Sequence, residues 1–398
     1  MRSLIYIFFI ISPGMALACE SSPSTLDSVY KCLMENHPSL QYLKFRGAEN
    51  EGRENAAKKI LNPEIEAKSS VSGESELELE FHQPIEIGGR RSARREQALA
   101  ENDLANINDT QKTGHIALTV AENLVRLRQI EKNLSVIGEA KTTTTNIAKR
   151  LQAKSSLTPE DRTILGLMRL YESTLIQKSR LAEAEQDSLK LVIESLSKVS
   201  LSRIAWKAEQ RRKKWPSLSP MKESVPVEVR SAQAELAFAL AQSNQATAEA
   251  WPSLSVGPTF KRLYETRQDN WGLMLNMTLP IWNLNGGERA ATRARTQQAE
   301  TRLAAANSLE VSRLESLKRT YEKATLALES APESSSINSL ISSVEKQFSR
   351  GLIQPNALIE TYRSSLESLE VTNETELEAL RAFFQYETAL GHIPKELL

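Results

Sequence analysis

The chain repeats its own sequence pattern, and this duplication constrains the fold more than any other feature. Segment 62–65 recurs as 251–254, and the alternating run 78–85 recurs as 274–281. Each copy is followed by a pair of glycines and the start of a long helical segment. Self-similarity at this scale identifies a repeated structural unit. We therefore predict a tandem internal repeat.

The two predicted units contain the same series of elements. The first unit is 19–210 and the second is 211–398, with a linker rich in Pro and Ser at 215–220. Helices are predicted at 38–61, 90–154 and 159–198, and at 226–250, 287–349 and 355–390; β-hairpins are predicted at 63–85 and 252–281. At 1.5 Å per residue, the longest helices would reach roughly 90–100 Å, far beyond the size of a compact domain.

The helical segments have the composition and spacing of coiled coils. Gly and Pro number only 15 each among 398 residues. Apolar residues such as Leu118, Ala121 and Leu124 recur with heptad-like spacing, and charged side chains lie between them. The predicted fold class is mainly α with a small β part, and a plain helical bundle is the alternative.

The beginning of the chain has the features of a targeting segment. Residues 1–18 contain Arg2, a short apolar core and an Ala-Leu-Ala sequence before the first cysteine, a pattern typical of a secretory signal peptide. Export favours a disulfide between Cys19 and Cys32, the two cysteines of the chain. Lipidation of Cys19 and free thiols are the alternatives.

The strand segments alternate between apolar and polar residues. The side expected to face lipid consists of Leu77, Leu79, Phe81, Trp271, Leu273, Leu275 and Met277. The side expected to face a water-filled lumen includes Glu78, Glu80 and His82. Tilted strands of about ten residues cross an outer membrane, but open strand edges are not tolerated in lipid. Four strands per chain therefore predict an oligomer, and a soluble four-stranded sheet is the alternative.

Several segments together resemble the TolC-like outer membrane efflux protein family. They are the opening helix and its Pro-containing turn at 26–40, the segment 279–288 and the turn 349–353. Segment 83–91, Gln-Pro-Ile-Glu-Ile-Gly-Gly-Arg-Arg, resembles the heavy-metal (cobalt–zinc–cadmium) efflux branch of that family. The resemblance implies a homotrimer in the cell outer membrane. Four transmembrane β-strands per protomer would close one β-barrel, and the helices would form a long coiled-coil α-helical barrel extending into the periplasm.

The resemblance also implies a function and partners. The protein would be the outer-membrane channel of a tripartite efflux system, a passive exit duct embedded in outer-membrane lipid. A periplasmic adaptor (membrane fusion) protein would couple it to an inner-membrane pump of the resistance–nodulation–division (RND) type that exports heavy-metal cations. A type I protein secretion duct and a soluble periplasmic coiled-coil scaffold or adaptor are the alternatives.

The turns between the long helices are the expected docking and gating regions. The adaptor-docking tips are Arg350, Gly351, Leu352 and Ile353 in the second unit and Ser155, Ser156, Leu157 and Thr158 in the first. The candidate gate residues are Glu360, Arg363, Glu160 and Asp161, which a threefold axis would arrange as rings of charge.

No enzymatic chemistry is expected from the sequence. The four histidines, at 37, 82, 115 and 392, are dispersed and form no metal-binding motif. Neither a phosphate-binding loop nor a nucleophile elbow is present. Fifty basic and fifty acidic residues give zero net charge, which argues against nucleic-acid binding. The sequence therefore predicts no cofactor and no metal site.

Overall fold

The computed structural model describes residues 25–70, 75–197, 214–221 and 224–397. The predicted signal peptide and Cys19 lie outside these residues. The described part of the chain forms eight helices and four strands. In chain order they are α1 (Leu26–Asn36), α2 (Pro38–Ala57), β1 (Glu64–Ser70), β2 (Glu76–Ile85), α3 (Arg90–Gln152), α4 (Pro159–Ser197), α5 (Val227–Ala248), β3 (Ser253–Leu263), β4 (Gln268–Thr278), α6 (Gly286–Ser330), α7 (Ser334–Ser349) and α8 (Pro355–Ala389).

The first two helices are delimited by local side-chain chemistry. Thr25 and Ser28 form a reciprocal capping box at the start of α1. His37 then has extended backbone and accepts a hydrogen bond from the Ser39 amide through Nδ1, while Pro38 occupies the first turn of α2. His37 is therefore a helix cap, and the two helices meet at a defined turn.

The long helix predicted at 287–349 is divided in the structure, and this prediction was wrong. Helix α6 ends at Ser330 and α7 begins at Ser334. Ala331 lies between them with extended backbone, φ −71° and ψ 140°. The cause is Pro332, because proline disfavours helical backbone in the residue before it and has no amide hydrogen of its own.

Helix α3 is the central element of the helical part. Its 63 residues correspond to a length of about 95 Å. It packs along α4, α5 and α8, so its apolar residues face several neighbours rather than one stripe. One buried cluster includes Tyr30, Leu124, Leu127, Phe383 and Phe384. A second cluster, nearer the α3–α4 turn, includes Ile147, Met168, Leu175 and Tyr362.

The linker between the two predicted units is held against the helices by buried hydrogen bonds. The Glu387 carboxylate accepts hydrogen bonds from the Ser219 amide and hydroxyl at 2.8 and 2.7 Å. The Tyr321 hydroxyl donates to the carbonyl of Pro216. The Glu387 bonds therefore attach the linker to α8, where this carboxylate is only 5% exposed, and the Tyr321 bond attaches it to α6.

The four strands form one antiparallel sheet in the order β1-β2-β3-β4. Strands β1 and β4 are its two edges. Both hairpins fall within the segments that the sequence predicts. Within the described residues, no helix combines the length and hydrophobicity that a membrane span requires.

Candidate functional site

One face of the sheet is mainly apolar, with charged or polar exceptions that include Gln83, Arg262 and Asp269. Strand register places Leu79 opposite Phe260, Phe260 opposite Trp271, and Val256 opposite Leu275. Partners in register point to the same side of a sheet. This side therefore contains all seven residues predicted to face lipid, together with Ile65, Leu254, Val256 and Phe260.

The opposite face of the sheet is polar. Glu80 lies opposite Glu66 on one side and Thr259 on the other, and Glu78 lies between Lys68 and Lys261. The three residues predicted to face a lumen, Glu78, Glu80 and His82, all lie on this side because they alternate along β2.

The apolar face is not covered at the edge strand β4. There Leu273 is 91% exposed, Trp271 77% and Leu275 66%, and polar-face residues such as Asn276 are exposed as well, whereas Glu80 on the inner strand β2 is 9% exposed. A soluble antiparallel sheet buries its apolar side and solvates its polar side. An uncovered apolar face of this size marks an interaction surface for lipid or protein.

A short basic segment joins the sheet to the helices. Arg90 donates hydrogen bonds to the carbonyls of Ala248 and Glu249 at the end of α5. Arg91 donates to the carbonyl of Lys58, just after α2. These guanidinium groups satisfy carbonyls that a helix end leaves unpaired. The Gly-Gly-Arg-Arg sequence at 88–91 thus has a structural role at this junction.

Replacing Gly88 with alanine should destabilise this junction more than the same change at Gly89. Both glycines have positive φ, +68° and +78°, so alanine is strained at either position by about 1–2 kcal/mol. At Gly88 the added Cβ would also overlap the side chain of Trp251, whereas at Gly89 it lies 3.4 Å from Ser92 Oγ. We expect Gly88→Ala to lower the free energy of unfolding by about 2–5 kcal/mol, measured by urea denaturation. Equal losses for the two variants would contradict this account.

The turn between α7 and α8 is closed by backbone hydrogen bonds. Gly351 has φ +73°, and its amide donates to Phe348 while the Leu352 amide donates to Gln347. This is a Schellman motif, which requires left-handed backbone at the glycine. Leu352 is 69% exposed and Ile353 is partly buried, so the predicted docking tip presents one apolar side chain to solvent.

The turn between α3 and α4 is closed by side chains instead. The Thr158 amide donates to Asp161, and the Asp161 amide donates to the Thr158 hydroxyl, each at 3.1 Å. The Lys154 ammonium contacts the same carboxylate at 2.7 Å. This capping arrangement replaces the glycine found at the other tip, and it leaves Ser155 and Ser156 exposed and Leu157 partly buried.

The Lys154 ammonium and the Thr158 hydrogen bonds hold the pKa of Asp161 below its usual value of 3.8. A carboxyl with a lowered folded pKa stabilises the fold above its unfolded pKa, and this contribution is lost as the pH falls through the folded pKa. We expect Asp161→Asn to lower the melting temperature at pH 7 and to have a diminishing effect toward pH 2. Glu160→Gln is the matched control, because Glu160 is exposed. A difference between wild type and Asp161→Asn that persists at pH 2 would contradict this assignment.

Two of the remaining gate candidates border a groove between α4 and α8, whereas Glu160 is exposed in the first turn of α4. Glu360 and Arg363 are both exposed and lie 3.4 Å apart as an ion pair. They border a groove of about 590 Å³ whose other wall includes Leu167 and Leu170. Beneath them, burial raises the pKa of Tyr171 to about 12. A gating role for these residues stays a prediction, and Asp161 has the capping role described above.

One of the two cysteines predicted to form a disulfide lies within the described residues. Cys32 is buried in α1. Cys19 lies outside the described residues, so the Cys19–Cys32 pairing stays a prediction.

Sequence reasoning did not single out Glu66 or Lys68. Both lie on β1 and contact β2 across the hairpin, with Lys68 Nζ 3.4 Å from Glu80 and His82 Nε2 3.7 Å from Glu66. Weak alternation in 64–67 indicated a strand, but only the register of the hairpin brings Glu66 and Lys68 to Glu80.

Comparison with known proteins identifies similar folds among solved structures. No family model and no curated protein matches this chain. The Campylobacter jejuni CmeC outer membrane channel has a TM-score of 0.68 at 12% identity, over 92% of this chain and 85% of that chain. The open-state Neisseria gonorrhoeae MtrE outer membrane channel has a TM-score of 0.66 at 16% identity, over 94% and 90%. A Pseudomonas aeruginosa membrane protein gives 0.69 at 12% identity, over 97% and 95%.

These similarities extend over nearly the whole of each chain. The protein therefore has the fold of these channels, a mainly helical TolC-like fold with a small antiparallel sheet of four strands.

Proposed function

We propose that the protein is a passive exit duct in the cell outer membrane, with its helices extending into the periplasm. The observation that supports this most directly is the sheet with an uncovered apolar face and a polar, partly buried opposite face. A membrane barrel with a wet interior requires this arrangement. Strand β4 has 11 residues, about 36 Å long. Tilted by about 45°, it spans about 26 Å, close to the apolar height of outer-membrane barrels.

Aromatic residues support the same orientation. Phe260 and Trp271 pack together in a tilted arrangement, with ring centroids 4.9 Å apart, toward the hairpin end of β3 and β4. Trp251 and Trp282 lie beyond the opposite ends of these strands and are 54% and 98% exposed. Two such groups match the aromatic girdles that lie at the two membrane interfaces of a barrel.

The assembly that this proposal requires is a homotrimer. Strands β1 and β4 are edges, and their unpaired backbone groups would be very costly in lipid. Pairing β4 of one protomer with β1 of the next would remove every edge and close a barrel of about twelve strands. The polar face would then line the lumen. A duct of this kind needs no catalytic group, because it only has to keep a hydrated path that can open and close.

The proposed partners are a periplasmic adaptor at the two helix turns and an inner-membrane pump, of RND type for heavy-metal cations. The exposed Leu352 offers an apolar contact for a helical adaptor. The choice of pump and cargo rests on the resemblance of segment 83–91 to the heavy-metal branch. A type I secretion duct would use the same parts, so the cargo distinguishes these two candidates.

A soluble periplasmic scaffold, which would not form a channel, is the alternative function. The long helices alone are compatible with a scaffold, but a scaffold function does not explain why Leu273, Trp271 and Leu275 are exposed. The duct accounts for that exposure, because lipid covers these side chains.

Fractionation followed by planar-bilayer conductance tests the duct. We expect recovery in the outer-membrane fraction and discrete conductance steps from the detergent-purified trimer. Recovery as a soluble periplasmic protein without conductance would overturn the proposal in favour of the scaffold.

A further inference from the structure

A compact set of metal-ligating groups lies on the polar face of the β1–β2 hairpin. Glu66 is directly opposite Glu80 in the strand register, and His82 follows two residues later on the same face of β2. One donor atom from each of these three side chains lies within 4.8 Å of the others. The duct function requires only that these side chains be polar, and the helix tips do not involve them.

The spacing of the donor atoms fits direct coordination. His82 Nε2 lies 3.2 Å from Glu80 Oε2 and 3.7 Å from Glu66 Oε2. Ligands of a tetrahedral zinc ion, bound at about 2.0–2.1 Å, are separated by about 3.3–3.4 Å. Small rotations of the two carboxylates would bring all three donors to this spacing without movement of the backbone.

The imidazole provides a second, independent observation. His82 Nε2 is buried and meets hydrogen-bond geometry with no atom in the described part of the chain, although carboxylate oxygens of Glu66 and Glu80 lie within 3.7 Å of it. The side chains of His82 and Glu80 are only 12% and 11% exposed. A buried polar atom without a partner requires an explanation such as an ion that binds there.

Lys68 is the cation already next to this cluster. Its ammonium lies 3.3 Å from Glu66 Oε1 and 3.4 Å from Glu80 Oε1, whereas His82 faces the Oε2 atoms of both residues. The lysine thus contacts the far side of the carboxylates and leaves the three facing donors together. Its side chain is 52% exposed and lies opposite Glu78 in register, so an alternative carboxylate is within its reach.

We propose that Glu66, Glu80 and His82 bind a divalent transition-metal cation, for which zinc is the representative. One imidazole nitrogen and two carboxylate oxygens suit zinc and its neighbours, whereas magnesium and calcium prefer oxygen ligands alone. The site lies within one hairpin of one protomer, so it does not depend on assembly. It goes beyond the duct function, because a passive conduit does not need to bind an ion on its wall.

Isothermal titration calorimetry of the full-length, detergent-purified protein with Zn²⁺, in excess Mg²⁺, tests this site. We expect one zinc per protomer in the wild type and an affinity at least about tenfold lower in His82→Asn and Glu80→Gln. Lys68→Met should bind zinc roughly threefold tighter or more, because it removes a positive charge next to the ion. Far-UV circular dichroism of each variant establishes that the fold is intact.

His115→Asn is the matched control, because His115 is exposed on α3 and distant in sequence from the hairpin. Wild-type affinity in this control, with loss in His82→Asn, supports the site. Absence of zinc binding in the wild type, or equal losses for the two histidine variants, overturns it in favour of a simple ion pair between His82 and the carboxylates. Conductance is measured separately, so a pore that conducts but does not bind zinc overturns this inference alone.

Discussion

Leu275→Arg is expected to abolish recovery of the protein as outer-membrane trimers. Leu275 is 66% exposed on the apolar face of β4, where the proposed barrel would contact lipid tails. An arginine on the lipid side of a barrel strand costs about 2–4 kcal/mol near the bilayer midplane. A trimer would incur this cost three times, which is comparable to the whole stability of many folded proteins.

Asn276→Arg is the matched control for this experiment. Asn276 is the next residue of β4, so it lies at nearly the same depth, but it is opposite Ser255 on the polar face. A charge there would enter the hydrated lumen and should be tolerated. The measurement is the amount of heat-stable trimer in the outer-membrane fraction. Equal recovery of the two variants would show that the two faces of the sheet are not differently solvated.

The comparison between these two neighbours depends on which face of the sheet each residue occupies, and alternation in the sequence predicted this. Alternation identified the faces of β2 and β4 from residues such as Leu79 and Leu275, because side chains of a strand point alternately to opposite sides. The structure places every residue of the predicted lipid-facing set on one face. The approximate positions of the strands were also predicted, since both hairpins lie within the predicted segments.

Features that depend on contacts between distant segments could not be predicted from the sequence pattern. Glu66 became part of a candidate site only because β1 pairs with β2 so that it lies opposite Glu80. The overlap that makes Gly88 necessary involves Trp251, 163 positions later in the sequence. Neither relation has a local pattern, so periodicity could not identify it.

The break between α6 and α7 was not predicted, and the reason is different. The signal was local, because Pro332 lies inside the segment 287–349 that was predicted as one helix. The heptad-like apolar spacing on both sides favoured continuity, and the backbone restriction at proline prevailed over it. At the helix tips, Thr158 and Asp161 likewise formed a cap whose spacing was visible in the sequence.

A buried ion pair in the helical part is expected to produce the largest change in stability. Glu376 on α8 is 4% exposed, and its carboxylate accepts hydrogen bonds from Arg128 at 2.5 Å and from Gln129 at 2.8 Å. Both donors lie on α3, so the pair joins the central helix to α8. The side chain of Arg128 is itself only 11% exposed.

Glu376→Ala should lower the free energy of unfolding by about 3–5 kcal/mol, because it leaves the Arg128 guanidinium buried without this carboxylate. Glu374→Ala is the matched control: Glu374 is 64% exposed, pairs with Arg381 on the surface, and should cost about 0–1 kcal/mol. The double variant Arg128→Met/Glu376→Leu removes both charges and should recover most of the stability, since apolar residues can replace a buried pair. Urea denaturation followed by far-UV circular dichroism measures all three. If the double variant were as unstable as Glu376→Ala, the cost would come from lost packing between α3 and α8 rather than from the loss of the Glu376 charge next to Arg128.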